Sequence, residues 1–209
     1  VDGCDLFIGG YFNWVGLRTD KIARLSIGKD YPDRNFPYFT KSNTGYGLTG
    51  SYIADIISDN NGGWYIFGEF DKVNQIPIKN LVHILADNSV DIHFSVPDIN
   101  ILNLYNQCLY LHEGMLYIGG DYTYSNNNIV NLSRVNAITG SLDTGWTPNP
   151  NYRVSGIKIW NDHVFVRGDF TFIGGKVQRK LAAVSRVTGN YLPSVGSEYS
   201  VSDIEIQGD

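Results

Sequence analysis

Short apolar runs that end in or near a glycine recur four times along the chain, at residues 6–12, 64–70, 116–122 and 164–170. Their clustered and alternating hydrophobic positions are typical of β-strands. The third run, at residues 116–122, follows a shorter apolar segment and a tight-turn signal, Glu113-Gly114. Another apolar segment starts after it, at Leu132. No segment keeps a 3.6-residue period for three turns, so the pattern predicts strands and no helices.

The runs define a long internal repeat. Their glycines, Gly10, Gly68, Gly120 and Gly168, are spaced by 58, 52 and 48 residues. Repeats of this length are typical of solenoids, propellers and arrays, and several short strands per repeat without a helix favour propeller blades. We therefore predict an all-β protein, a β-propeller of four repeats of about 48–58 residues, each a blade of three to four antiparallel strands. The glycines fit inner strands that leave no room for a Cβ atom.

The predicted blades, named copies 1 to 4, cover residues 1–50, 51–98, 99–150 and 151–209. Residues 201–209 resemble residues 154–162, the first strand of copy 4, and so predict a terminal strand. Two organisations remain open. The chain is either a single four-bladed ring that this strand closes, or a four-blade segment of a larger propeller.

Composition narrows the choice of partners. Apolar residues make up 43% of the chain and charged residues 18%, which suits a globular core. The net charge of −5 comes from interspersed signs with no basic stripe, so no nucleic-acid partner is expected. No apolar run reaches the ~18 residues of a membrane helix, so no membrane insertion is expected. The two cysteines do not fix a compartment.

Three repeated elements resemble a known family. Residues 58–70 are similar to its turn-strand run that ends in glycine and phenylalanine, and residues 139–146 resemble its Gly-Ser-Leu-Asp-x-x-Phe element. Arg24-Leu25 and Arg134-Val135 look like its Ala-Arg-Leu strand, although His83 and Ala183 replace that arginine in copies 2 and 4. The family is the delta-sixty type β-propeller repeat of large bacterial secreted or surface proteins and some phage proteins. The resemblance implies an extracellular, cell-surface or virion setting and no transferable enzymatic activity.

Catalytic and metal motifs find no support in the sequence. The four histidines are scattered, and neither a nucleophile elbow nor a phosphate loop is present, so no enzyme activity, metal site or cofactor is predicted. Acids follow the repeat glycine in three copies as Glu69, Asp121 and Asp169. They are either a set of catalytic carboxylates or residues that bind backbone at blade corners, and their recurrence favours the structural role.

Several short motifs have a simpler structural explanation. Residues 59–62 offer clustered oxygens for a cation, but they occupy a hairpin turn. The Arg-Gly-Asp tripeptide at 167–169 and the glycosylation sequon at 131–133 both fall inside predicted strands.

Aromatic side chains on or after the second strand of each repeat suit sugar stacking if they reach a surface, and core packing if they do not. Phe172 belongs to this group. With the acids, they complete the candidate ligand-binding set: Tyr11, Trp14, Glu69, Asp121, Tyr122, Tyr124 and Asp169.

The leading hypothesis is a non-catalytic scaffold or interaction module of an extracellular, cell-surface or virion-appendage protein, with protein partners or other domains of the same chain. The first alternative is a lectin-like, carbohydrate-binding propeller. The second is a glycan-active enzyme that uses Glu69, Asp121 or Asp169. Fold alone does not choose between them.

Overall fold

The computed structural model describes residues 5–9, 22–26, 31–42, 51–193 and 196–206. Within these ranges every regular element is a β-strand, and all strand pairs are antiparallel. The prediction of an all-β protein is therefore confirmed. The arrangement of the four copies as blades around one axis stays a prediction.

The strands of the described residues, in chain order, are β1 (Asp5–Gly9), β2 (Ile22–Ser26), β3 (Phe39–Thr40), β4 (Tyr52–Ser58), β5 (Trp64–Glu69), β6 (Lys72–Val73), β7 (Ile76–Pro77), β8 (Leu81–Ile84), β9 (Ile99–His112), β10 (Met115–Tyr124), β11 (Asn127–Asn136), β12 (Val154–Trp160), β13 (His163–Gly168), β14 (Phe172–Ile173), β15 (Lys176–Val177), β16 (Leu181–Ser185) and β17 (Tyr191–Leu192).

The chain divides into two compact units, Val1–Ile92 and His93–Asp209. In the first unit β1 pairs with β2, β4-β5-β8 form a second sheet, and β3-β6-β7 form a small third one. Strand β5 is buried at four consecutive positions, as its continuous apolar sequence predicts. Phe39 and Phe70 meet edge to face in the core, with ring centroids 5.0 Å apart.

The second unit is built from two larger sheets, β9-β10-β11 and β12-β13-β16-β17, with the short hairpin β14-β15 beside them. Apolar side chains of both larger sheets share one core. Trp146 is fully buried there, and its ring meets that of Tyr117 edge to face at 5.4 Å. Strands β12 and β13 alternate buried and half-buried positions, as period-two patterning predicts.

Copies 2, 3 and 4 share one local plan. The first strand turns into the second, which carries the repeat glycine, and the third strand pairs on the far side of the second. In copy 3 the predicted tight turn is present at Glu113 and Gly114, which both have positive φ. Strands β10 and β11 are longer than the sequence pattern indicates, and only Ser125 and Asn126 separate them.

The repeat glycine faces a bulge in the first strand of its sheet. A Cβ atom at Gly168 would overlap the carbonyl oxygen of Arg153 and lie 2.9 Å from the Cα of Val154. Gly68 meets the carbonyl of Tyr52 in the same way. The predicted lack of room for a side chain is therefore found in copies 2 and 4. Its cause there is this close backbone approach within one sheet.

The predicted terminal strand is not formed over residues 201–206, which carry no regular secondary structure. The Glu205 carboxylate lies 3.5 Å from the Nζ of Lys158 on β12, at a largely exposed position. One exposed ion pair contributes about 0–1 kcal/mol, which is too little to order a strand without a ladder of hydrogen bonds.

Candidate functional site

Two of the three repeat acids are neutralised by side-chain cations. Glu69 at the end of β5 accepts a hydrogen bond of 2.7 Å from Lys41. Asp169, just after β13, accepts one of 2.8 Å from Lys180 and one of 2.5 Å from Arg153. The Lys180 hydrogen bond, with help from Arg153, lowers the pKa of Asp169 against the opposing effect of burial. These carboxylates therefore bind side-chain cations, not the backbone groups that the sequence led us to expect.

Asp121 differs from the other two acids. It is half-buried on β10, and its carboxylate has no ion pair or hydrogen bond to another described residue. The position equivalent to Lys180 is taken by Asn131. That amide accepts from the Tyr122 backbone N–H at 3.1 Å and donates to the Pro150 carbonyl at 3.0 Å. The second unit thus holds one paired and one solvated acid at the same repeat position.

Tyr122 and Tyr124 lie in the core. Tyr122 is fully buried and Tyr124 is 4% exposed, and both hydroxyls share the Ser133 hydroxyl at 2.7 and 2.9 Å. Burial raises the pKa of Tyr122 well above its usual range and that of Tyr124 to about 12. In this structure neither ring offers a face to a ligand, whereas Phe172 on β14 is 40% exposed. Tyr11 and Trp14 lie outside the described residues.

The short motifs are occupied by structural contacts. In the Arg-Gly-Asp segment, Arg167 donates to the Ser155 hydroxyl at 2.9 Å and Asp169 is ion-paired. Asn131 of the sequon is only 7% exposed and uses its amide for core hydrogen bonds. Asp59 caps its own turn by accepting from the backbone N–H groups of Asn61 and Gly63 at 2.7 Å each. Turn formation thus accounts for these carboxylate contacts.

The strand arginine of copy 3 is the centre of a contact network. Arg134 donates from Nε and Nη2 to the Asp143 carboxylate at 2.9 and 2.6 Å. Its guanidinium carbon lies 5.1 Å from the ring centre of Trp146, within cation–π range. It also donates to the backbone carbonyl of Arg186 in copy 4, while Trp146 Nε1 donates to the Ser185 carbonyl at 2.9 Å. The repeated arginine, acid and aromatic residue therefore link copy 3 to the turn at residues 185–189 of copy 4, which ends the third strand and is called the exit turn.

The same device joins copies 1 and 2. Arg24 lies 3.8 Å from the Asp33 carboxylate and donates to the side-chain oxygen of Asn88 at 2.7 Å. The backbone N–H of the acid donates to the carbonyl of the strand cation in both cases, Asp33 to Arg24 and Asp143 to Arg134. The arginine and acid of the elements that resemble the delta-sixty repeat thus make contacts between neighbouring copies.

In copy 2 a histidine takes the place of the arginine. His83 is 7% exposed and lies between two carboxylates, with Nε2 3.1 Å from Asp59 Oδ2 and Nδ1 2.9 Å from Asp91 Oδ2. Tyr65 stacks on the ring at a centroid distance of 4.4 Å. Burial, together with the charges of Asp59 and Asp91, raises the pKa of Tyr65 to about 12.

Copy 4 has lost both charges of the pair. Ala183 on β16 stands opposite Leu192 on β17, in the register that Val184 shares with Tyr191. The isolated bridge of Val135 with Leu142 has the same place in copy 3, next to Arg134 and Asp143. An apolar pair in copy 4 therefore replaces the ion pair of copy 3, and no charge is left alone.

A surface cleft of about 350 Å³ is a feature that the sequence pattern did not predict. It lies in the second unit and is lined by Val177, Gln178, Arg179, Gly196, Ser197 and Glu198. These residues are distant in sequence and match no motif, so only the fold brings them together.

Comparison with known proteins gives no match: no family model, no curated protein and no solved structure corresponds to this chain. In the described residues no helix is long and apolar enough to cross a membrane. The described residues also contain no group of three or more histidine, cysteine or acidic side chains arranged to hold a metal ion.

Proposed function

We propose that the protein is a non-catalytic β-propeller scaffold and interaction module of an extracellular, cell-surface or virion-appendage protein. The observation that carries the proposal is the use of the repeated charged residues. Arg134, Asp143 and Trp146 fasten one copy to the next, and so do Arg24 and Asn88. Repeat positions that serve the contact between neighbouring repeats are typical of residues with a structural role in repeat proteins.

The fate of the repeat acids also supports a non-catalytic role. A catalytic carboxylate set needs two or more acids that act together, at least one of them unpaired or raised in pKa. Asp121 is the unpaired repeat acid of the described residues, and it has no second unpaired repeat acid to act with. Glu69 and Asp169 are paired with lysine or arginine, and the pKa of Asp169 is lowered. A general acid usually has a raised pKa, whereas the pKa of Asp169 is lowered by its cations.

The extracellular or virion setting rests on the resemblance of residues 58–70 and 139–146 to the delta-sixty repeat. Protein partners or other domains of the same chain would dock on the propeller, since propellers present broad faces made of loops. A second candidate function is glycan binding. It is favoured by exposed aromatic rings at Phe172 and Tyr199 in the second unit.

Localisation and activity together test the proposal. Immunogold electron microscopy of the native source, with antibody raised against this chain, is expected to label the cell surface or the particle. Label confined to the cell interior would contradict the proposed setting. In parallel, hydrolase and lyase assays on glycan substrates are expected to show no turnover. Turnover that disappears in Asp121→Asn or Glu69→Gln would overturn the non-catalytic assignment.

A further inference from the structure

The cleft of the second unit is built from two chain segments held against each other. Residues 177–179, which begin at the last residue of β15, form one wall, and residues 196–198 form the other. The Ser197 backbone N–H donates to the Arg179 carbonyl at 3.3 Å and so links the walls. Gln178 is held in place, because its Nε2 donates to the Leu181 carbonyl at 2.9 Å and its Oε1 accepts from the Tyr191 hydroxyl at 3.2 Å. The cleft is thus a formed feature of the fold.

Two charges of opposite sign line the cleft without neutralising each other. Arg179 and Glu198 are both exposed, and neither has an ion-pair partner among the described residues. A guanidinium group only donates hydrogen bonds, and a carboxylate only accepts them. A ligand for this cleft must therefore offer acceptors to Arg179 and donors to Glu198.

Hydroxyl groups meet both demands, because each hydroxyl donates one hydrogen bond and accepts others. An anionic group would be repelled by Glu198, and a cationic group would be repelled by Arg179. The paired charges therefore disfavour a ligand with a net charge. A zwitterion would match both charges, but an uncharged ligand with several hydroxyl groups also suits the exposed apolar side chains of Val177 and Phe172 beside them.

Exposed apolar side chains lie next to the two charged residues of the cleft. Val177 lines the cleft and is 77% exposed, and it stands opposite Phe172 in the β14-β15 hairpin. Cross-strand partners project on the same face of a hairpin, so the exposed Phe172 ring lies beside Val177. Tyr199, 84% exposed, follows Glu198 on the other side. The C–H face of a sugar ring packs against exposed aromatic rings of this kind.

We propose that this cleft binds the end of a neutral saccharide chain, with Arg179 and Glu198 on the hydroxyls and Phe172 against the ring face. The inference rests on the second candidate function, glycan binding, and gives it a site that does not include the buried tyrosines. The volume of about 350 Å³ lies at the lower end of ligand pockets, ~300–1,000 Å³, and suits a chain end better than a long oligosaccharide.

The test starts from the whole chain on an array of immobilised neutral and acidic oligosaccharides. The glycan that gives the strongest signal is then titrated in free form against the unaltered chain and three variants. Arg179→Ala is expected to weaken binding about tenfold, the cost of losing hydrogen bonds to a charged group. Phe172→Ala is expected to weaken it about fivefold through lost stacking. The matched control is Ile138→Ala, a 76% exposed apolar residue of the copy 3 exit turn, which should change binding less than about twofold.

Equal melting temperatures for all variants ensure that the comparison concerns binding. Absence of any bound glycan, or affinity unchanged in both cleft variants, would overturn the proposal. So would binding of acidic glycans alone, or displacement of the glycan by free glycine, because a zwitterion satisfies the same two charges. None of these outcomes touches the scaffold assignment, which the localisation experiment tests separately.

Discussion

Replacement of Arg134 by alanine tests the idea that the repeated charged residues fasten one copy to the next. The side chain is 14% exposed and makes two hydrogen bonds to Asp143, one to the Arg186 carbonyl, one to the Tyr117 hydroxyl at 3.3 Å and a cation–π contact with Trp146. Alanine removes all of these contacts at once. It also leaves the Asp143 carboxylate, 30% exposed, without its cation.

The expected loss follows from these contacts. Hydrogen bonds to charged groups contribute about 1.5–3 kcal/mol when buried, and part of this is lost here because Asp143 is in contact with water. The cation–π contact adds about 0.5–2 kcal/mol. We expect Arg134→Ala to lower the free energy of unfolding by about 2–4 kcal/mol, which is a large share of the stability of a typical domain.

Copy 4 supplies the design of a rescue. The double variant Arg134→Ala/Asp143→Leu reproduces the Ala183–Leu192 pair, in which neither residue is charged and none is left without its partner. It is expected to be more stable than Arg134→Ala by about 1 kcal/mol or more, since removal of both partners costs less than removal of one. Urea unfolding followed by tryptophan fluorescence gives the midpoints, with unchanged m values required for the comparison.

An exposed arginine serves as the control for this series. Arg179 has no ion pair among the described residues, so Arg179→Ala is expected to change stability by less than about 0.5 kcal/mol. If Arg134→Ala were equally mild, or if the double variant were less stable than the single one, the fastening role of the network would be refuted.

Three further predictions follow from the second unit. Gly168→Ala places a Cβ against the Arg153 carbonyl and should lower the unfolding free energy by about 2 kcal/mol or more in calorimetry. The lowered pKa of Asp169 means that its pairing stabilises the fold above the ordinary aspartate pKa of ~4 and is lost as the pH falls through the folded-state value. Lys180→Met should therefore lower the urea midpoint at pH 7 but much less at pH 2.5. The pKa of Tyr124 is about 12 in the folded state, whereas a tyrosine in the unfolded chain has a pKa of ~10. The free energy of unfolding should therefore fall as the pH rises above ~10, and it should fall less steeply in Tyr124→Phe.

Each of these has a matched control. A Cβ at Gly145 meets nothing closer than 3.4 Å, so Gly145→Ala should be mild, and equal effects at both glycines would refute the bulge argument. The acid prediction fails if the loss in Lys180→Met is the same at both pH values. Tyr199→Phe removes a hydroxyl group at an 84% exposed position and serves as the matched control for Tyr124→Phe. A slope in Tyr124→Phe equal to that of the unaltered chain would contradict the assignment to Tyr124.

The sequence predicts the strands well because their signal is local. Gly120 and its equivalents, the Glu113-Gly114 turn and the apolar runs on either side all depend on neighbours within a dozen residues. The boundaries of β9 to β11 were less predictable. Whether a strand continues past its apolar run depends on the backbone partners that the fold supplies, as in the extension to Tyr124.

The candidate site was harder to predict for a related reason. Tyr122 and Tyr124 carry the composition of a sugar-stacking pair, but their burial is decided by residues on other strands, such as Ser133. Pairing of Asp169 with Lys180 depends on a side chain 11 positions away across a loop. By contrast, the link between Arg134 and Asp143 was foreseeable, since the two residues are nine apart wherever an arginine is kept, as in Arg24 and Asp33.

Distances between equivalent exit turns test the propeller arrangement most directly. Asp87, Ile138 and Val187 are exposed and occupy the same turn position in copies 2, 3 and 4. Spin labels at pairs of these positions, in a background without Cys4 and Cys108, report the distances by double electron–electron resonance. Equal 87–138 and 138–187 distances, with an 87–187 distance about 1.4 times longer, are expected for a four-bladed ring, and about 1.7–1.8 times for six or seven blades. Unequal neighbour distances, or a ratio of about 2 as in a straight stack of repeats, would contradict the propeller.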